Sequence, residues 1–154
     1  MELFWICAAL AFFLDRIVKQ YVVGHFVLHE GHDVLEGILS LVYVQNEGAA
    51  FSMLSGQRWL LLLIAAAAVG AILWYRRGGR LGRWMDSLLG MVVGGAIGNM
   101  VDRFFYGYVV DFISIGWWPV FNVADMMIVG GGIGLLICVV WKDMGQKGEN
   151  AEDE

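Results

Sequence analysis

Four stretches of this 154-residue chain are too long and too apolar for a soluble domain of that size to cover. The clearest begins at Arg58 and runs through Leu, Ile, Ala and Val to Trp74-Tyr75, a pair of aromatics suited to a membrane–water interface. At about 1.5 Å of rise per residue, some 20 apolar residues cross a hydrocarbon core. Runs at about 3–23, 58–75, 84–103 and 120–141 each approach that length. With 59% hydrophobic and only 16% charged residues, the chain lacks the polar surface to hide them in water. The sequence therefore predicts an all-α transmembrane fold, a four-helix membrane bundle forming a single domain over residues 1–154. A cleavable signal peptide is the rival reading of the first run, but Met1-Glu2 lacks the basic n-region such a peptide needs.

Charge orients the bundle. Arg76, Arg77, Arg80 and Arg83 crowd one short loop, which the positive-inside rule makes cytoplasmic. The third run then leads outward and the fourth returns, so both termini are cytoplasmic. A polar tail over residues 143–154 holds Glu149, Glu152, Asp153 and Glu154, and its composition predicts no fixed structure. Gly90, Gly94 and Gly98 recur every four residues, as do Gly130 and Gly134, which predicts that the third and fourth helices touch along these small faces.

Between the first two runs the hydropathy falls. His25, His29 and His32 do not form the HExxH arrangement and read as loop residues at an interface rather than a metal site. Residues 36–54 predict a small extracytoplasmic β-element: a strand from Ile38 to Val44, a turn at Asn46-Glu47-Gly48, and an extended piece from Ala49 to Met53. Asn46 either supplies the turn or contacts a substrate. Cys7 and Cys138 sit in apolar runs and read as small core residues. No basic stripe with interleaved aromatics suggests a nucleic-acid partner.

The chemistry concentrates between Gly94 and Asp125. That stretch carries Asn99, Asp102, Arg103, Asp111, Asn122 and Asp125, and carboxylates beside hydrocarbon are expensive enough to suggest function. Two carboxylates held close cannot ionise together easily, which leaves one acid and one base, the pair needed to activate water against a peptide bond. Asp15 and Lys19, one helical turn apart, are ordered favourably for an ion pair. They either anchor the first helix or support the site. In the predicted topology all these groups gather near the outer face. Asn99 and Asn122 each precede an aspartate by three residues and are suited to orienting a carboxylate or a peptide. Residue spacing leaves Asp102 and Asp111 as rivals, although Arg103 beside Asp102 suggests a structural ion pair there. An ion pathway and a structural subunit are alternatives from other classes. The crowding of acidic groups at one end of the helices argues against a conduction path.

Five motifs in order, DRIVK at Asp15 to Lys19, NEGAAF at Asn46 to Phe51, GGAIGNMVDR at Gly94 to Arg103, VVDF at Val109 to Phe112 and FNVAD at Phe121 to Asp125, resemble those of the lipoprotein signal peptidases, or signal peptidase II. The resemblance covers almost the whole chain. It implies four transmembrane helices with a small β-element and a short helix over the site. It also implies a catalytic dyad of Asp111 and Asp125, with Asn46, Asn99, Arg103 and Asn122 lining the substrate site. Asp15, Lys19 and Asp102 are left as supporting residues. The implied enzyme is an intramembrane aspartyl endopeptidase of the bacterial cytoplasmic membrane, with no metal or organic cofactor. Its partners are membrane lipid and diacylglyceryl-modified prolipoproteins, cut before the lipidated cysteine, and it works as a monomer. One departure is the short connection between the two aspartates, with 13 intervening residues.

Overall fold

A computed structural model describes residues 2–49, 53–79 and 81–152. Its elements are α1 (Glu2–His25), β1 (Gly31–Leu35), β2 (Leu39–Asn46), α2 (Arg58–Arg77), α3 (Arg83–Phe105), β3 (Val109–Ser114) and α4 (Val123–Glu152). By length and composition α2, α3 and the Val123–Lys142 part of α4 can each cross a membrane. α1 has comparable length but carries Asp15, Arg16 and Lys19.

α3 is the central helix, and glycine lets its neighbours approach. A Cβ at Gly90 or Gly94 would strike the backbone carbonyl of Phe4 or Ala8, and one at Gly98 would lie 2.6 Å from the Asp15 carboxylate. The matching order of these contacts makes α1 and α3 parallel. On the other side, a Cβ at Gly95 would come 2.6 Å from the Ala124 carbonyl, and Gly131 faces Leu88 and Val92. α4 is therefore antiparallel to α3. This corrects the glycine expectation: Gly90, Gly94 and Gly98 receive α1, whereas α4 uses Gly95, Gly131 and Gly134, and a Cβ on Gly130 would meet nothing within 4 Å. Where lipid competes on equal terms for apolar surface, such close backbone approach is a main source of helix association.

The two ends of the bundle differ. At one, Phe4, Leu89 and Val93 form a buried cluster, and the Arg76 guanidinium lies 3.7 Å from the Phe4 ring centroid while bonding Asp86 at 2.8 Å. At the other, Val22, Tyr43, Val110 and Phe112 pack α1 against an antiparallel sheet of order β1-β2-β3.

The sheet departs from expectation. The strand predicted at Ile38 to Val44 is β2, but its partners are β1, read as loop, and β3, read as an outer connection. Ala49 is a bend and Met53 begins a turn, so the extended piece expected there is absent at both ends. Its middle, residues 50–52, lies outside the described residues, as does Arg80. No short helix covers the site among the described residues. α4 begins at Val123 rather than 120, and it continues to Glu152 through most of the stretch expected to lack structure.

Candidate active site

Asn122 stops the chain just before α4 and acts as its N-cap. Its side-chain Oδ1 accepts the Asp125 backbone N–H at 2.9 Å, and the Asp125 carboxylate accepts the Asn122 N–H at 3.3 Å. This reciprocal capping box satisfies donors that a helix start otherwise leaves unpaired. The Asn122 amide remains free to donate outward, to Asp111 Oδ1 at 2.6 Å and to Asn99 Oδ1 at 3.2 Å. One asparagine thus touches both aspartates that the resemblance pairs.

Asp111 reaches this point because VVDF is a strand. β3 pairs with β2 in a register that sets Val44 opposite Asp111, with a bulge between Leu41 and Val44. Asn46, at the end of β2, donates to Asp111 Oδ2 at 2.8 Å, while its own Oδ1 accepts the Gly48 N–H at 2.9 Å. Asn46 therefore shapes the turn, and its amide also holds the Asp111 carboxylate, a contact that neither reading of it included. Asp111 is only 2% exposed. Burial, and secondarily the charge of nearby Asp125, raise its carboxyl to about 7 against the opposing hydrogen bonds from Asn46 and Asn122.

Beneath the two aspartates lies a buried charge layer. Lys19 Nζ is 2.8 Å from each of Asp15 Oδ2, Asp102 Oδ2 and Asn99 Oδ1. Because an ammonium only donates, Asn99 must turn its oxygen to Lys19. Its amide N–H is then directed to Asp125 Oδ1, at 2.8 Å. Asp15 Oδ1 accepts the Ala124 N–H of α4 at 2.9 Å. The Asp15–Lys19 pair is therefore bonded to Asn99 and to the start of α4. Asp102 pairs with Arg16 and Lys19, not with Arg103, since adjacent helical residues point to different faces. Arg103 instead donates to the Gly48 carbonyl at 2.9 Å. Asn99 likewise serves Asp125 and not Asp102. Arg16 was missed by the sequence reading, because a pair 86 positions apart has no local signature.

The three histidines separate. His25 stacks on Tyr21, His32 meets the Phe26 ring edge-on, and His29 holds a left-handed φ of 67°. Among the described residues no three His, Cys, Asp or Glu side chains gather as a metal cluster. Both aspartates, with Asn46, Asn99 and Arg103, line a cavity of about 520 Å³ whose remaining wall is largely apolar. That wall includes Ile64, Ala65 and Ala68 of α2, Val92 of α3 and Ile128 of α4.

Fold and site together define a multi-pass membrane protein whose helix ends and sheet enclose a carboxylate–asparagine network. The chain belongs to a peptidase family, described as Signal peptidase (SPase) II, which it matches over residues 7–141. The lipoprotein signal peptidase of Syntrophomonas wolfei is 45% identical over 137 residues, covering 89% of this chain and 92% of that protein. The Mycobacterium avium lipoprotein signal peptidase is 43% identical over 141 residues, covering 87% and 76%. A solved bacterial membrane enzyme superposes with a TM-score of 0.87 at 26% identity, covering 96% of this chain and 92% of that one.

Proposed function

We propose that this chain is an aspartyl endopeptidase that removes signal peptides from diacylglyceryl-modified prolipoproteins, cutting before the lipidated cysteine. The observation that carries the reading is the double engagement of Asn122, bonded to Asp111 by its side chain and to Asp125 by a capping box. Such sharing holds two carboxylates in one arrangement, and with a single proton between them they form an acid and a base.

The environment of Asp111 favours it as the proton-bearing member. Asp125 takes a proton from water, whose oxygen attacks the scissile carbonyl carbon as Asp111 donates its proton to the carbonyl oxygen. The proton gained by Asp125 then passes to the departing cysteine nitrogen as the C–N bond breaks. The new carboxyl group returns a proton to Asp111. Proton transfer of this kind contributes about 10²–10⁴-fold, and the asparagine network supplies positioning. Arg103 and Asn46 contact the peptide or the lipid ester. The Arg103 Nε, buried without a partner among the described residues, supports that role.

The substrate class follows from the cavity. Each buried methylene of an acyl chain contributes about 0.8 kcal/mol to membrane anchoring, so a diacyl group delivers the peptide at bilayer depth. The apolar wall of α2, α3 and α4 is suited to receive it. We take all four helices as spans of one 1–154 domain. Leu10, Phe13 and Ile17 of α1 are turned outward while Asp15 and Lys19 are buried, as expected of a helix with lipid on one side. By the positive-inside rule the arginine loop supports cytoplasmic termini and a dyad near the outer face of the bacterial inner membrane. The site is assembled within one chain, in keeping with a monomer, and requires no cofactor. The reading is tested by mass analysis of products from a lipidated prolipoprotein. An N-terminal lipidated cysteine is expected, and cleavage elsewhere or none would refute the assignment.

A further inference from the structure

Asp111 and Asn46 line two cavities, not one. Besides the apolar cavity shared with Asp125, a second of about 670 Å³ opens on the sheet side. The strap Trp118-Pro119-Val120, between β3 and α4, borders both. The second cavity has a different character: His29, Gln45, Glu47 and Ser55 contribute to it, and α2, α3 and α4 do not. Glu47 is exposed there, and among the described residues it forms no ion pair. His29 is held in the left-handed region, costly for a residue with a Cβ, with its N–H on the Tyr43 carbonyl at 2.8 Å. Strain retained at a cavity wall is a pointer to use.

In a lipoprotein precursor the lipidated cysteine carries the acyl chains on its side chain and the polar mature chain on its carbonyl, while the scissile bond joins its nitrogen to the signal peptide. Resting on the function proposed above, we infer that the sheet-side cavity binds the residues that follow the lipidated cysteine, and that Glu47 makes it select against acidic side chains there. Largely apolar lining suits the lipid to one cavity, and a lining of mixed polar and apolar residues, Gln45 and Glu47 beside Val44 and Trp117, suits the emerging mature chain to the other. The cysteine, where acyl chains and mature chain meet, then lies beside Asp111, which lines both cavities, with the scissile bond on its nitrogen. Glu47 gives the sheet-side cavity a carboxylate beside the proton-bearing Asp111, and its lining residues include no lysine or arginine. A basic or neutral side chain after the cysteine is therefore preferred over an acidic one. Partly exposed charge pairs typically account for about a two- to fivefold effect.

The test uses three lipidated substrates differing only at the residue after the cysteine, with Lys, Ser or Glu. The wild-type protein is expected to show a kcat/KM ratio of Lys to Glu substrate of about two to five, shrinking as salt is raised. Glu47→Gln brings the ratio toward one and Glu47→Lys inverts it. Because each ratio is taken within one variant, a general loss of activity does not enter it. A wild-type ratio of one, or a ratio unchanged by both substitutions, overturns the inference and leaves the proposed function standing. Failure of the wild type to cut even the Ser substrate overturns both.

Discussion

The Asn122 side-chain amide bonds the Asp111 carboxylate at 2.6 Å across a junction between strand and helix. The residue that starts α4 is thereby the residue that holds the strand-borne aspartate. Helix capping and site geometry are coupled in one side chain.

Substituting Asn122 separates these roles. Asn122→Ala is expected to cost about 1 kcal/mol through the lost cap and to lower kcat/KM about 10²-fold or more through misplacement of the dyad. Asn122→Ser restores the cap, but its short hydroxyl does not reproduce the amide bond to Asp111. Thermal unfolding in detergent should recover with serine while activity does not. Equal recovery of both would show the cap alone to matter.

The raised carboxyl of Asp111, at about 7, has consequences for activity and for stability. If the protonated acid is required, kcat/KM falls as pH rises through that region. For stability, a folded-state value above the unfolded one near 3.9 means that the contribution is fully present below about pH 4. It is then lost as pH rises through about 7. The Tm of Asp111→Asn minus that of the wild type should therefore grow between pH 5 and pH 8. A difference independent of pH would contradict the burial of an ionisable Asp111.

Lys19 is 1% exposed and serves Asp15, Asp102 and Asn99 together. Lys19→Met removes the cation from between two buried carboxylates, a change expected to cost about 3–5 kcal/mol. The measurement is the unfolding midpoint in detergent. A loss under 1 kcal/mol would mean that Arg16 alone suffices for this layer.

Helix packing gives a geometric contrast. Gly94→Val collides with the α1 backbone at Ala8 and is expected to cost at least about 1–3 kcal/mol. Gly130→Ala meets nothing within 4 Å and should be neutral to slightly stabilising. A comparable loss at both positions, measured as unfolding midpoints, would refute the assigned helix faces.

The helices were legible in the sequence because continuous apolar runs have few other uses. Which glycine faced which helix was not, since a small-residue stripe states that something approaches without naming it. β1 and β3 were missed for a related reason. Gly31–Leu35 and Val109–Ser114 are short, and the strand that justifies each lies elsewhere in the chain. The resemblance named Asp111, but its arrival at the site depends on pairing with β2, which local pattern does not show. Asn122 carried a local capping signal, an asparagine three residues before an acidic residue at a helix start, but a fourth run begun at 120 places it inside the helix rather than at its cap. Arg16 and Asp102, joined across 86 positions, left none.

The central claim is that Asp111 and Asp125 are the reacting pair, and it is tested by cleavage of a lipidated prolipoprotein by the purified protein in detergent. Asp111→Asn, Asp125→Asn and Asp102→Asn are compared after each is shown to be folded by its unfolding transition. The account predicts that the wild type cuts before the lipidated cysteine, that Asp111→Asn and Asp125→Asn lose turnover by at least about 10³-fold, and that folded Asp102→Asn keeps measurable turnover. Near-wild-type turnover by Asp111→Asn, with Asp102→Asn inactive though folded, would contradict it.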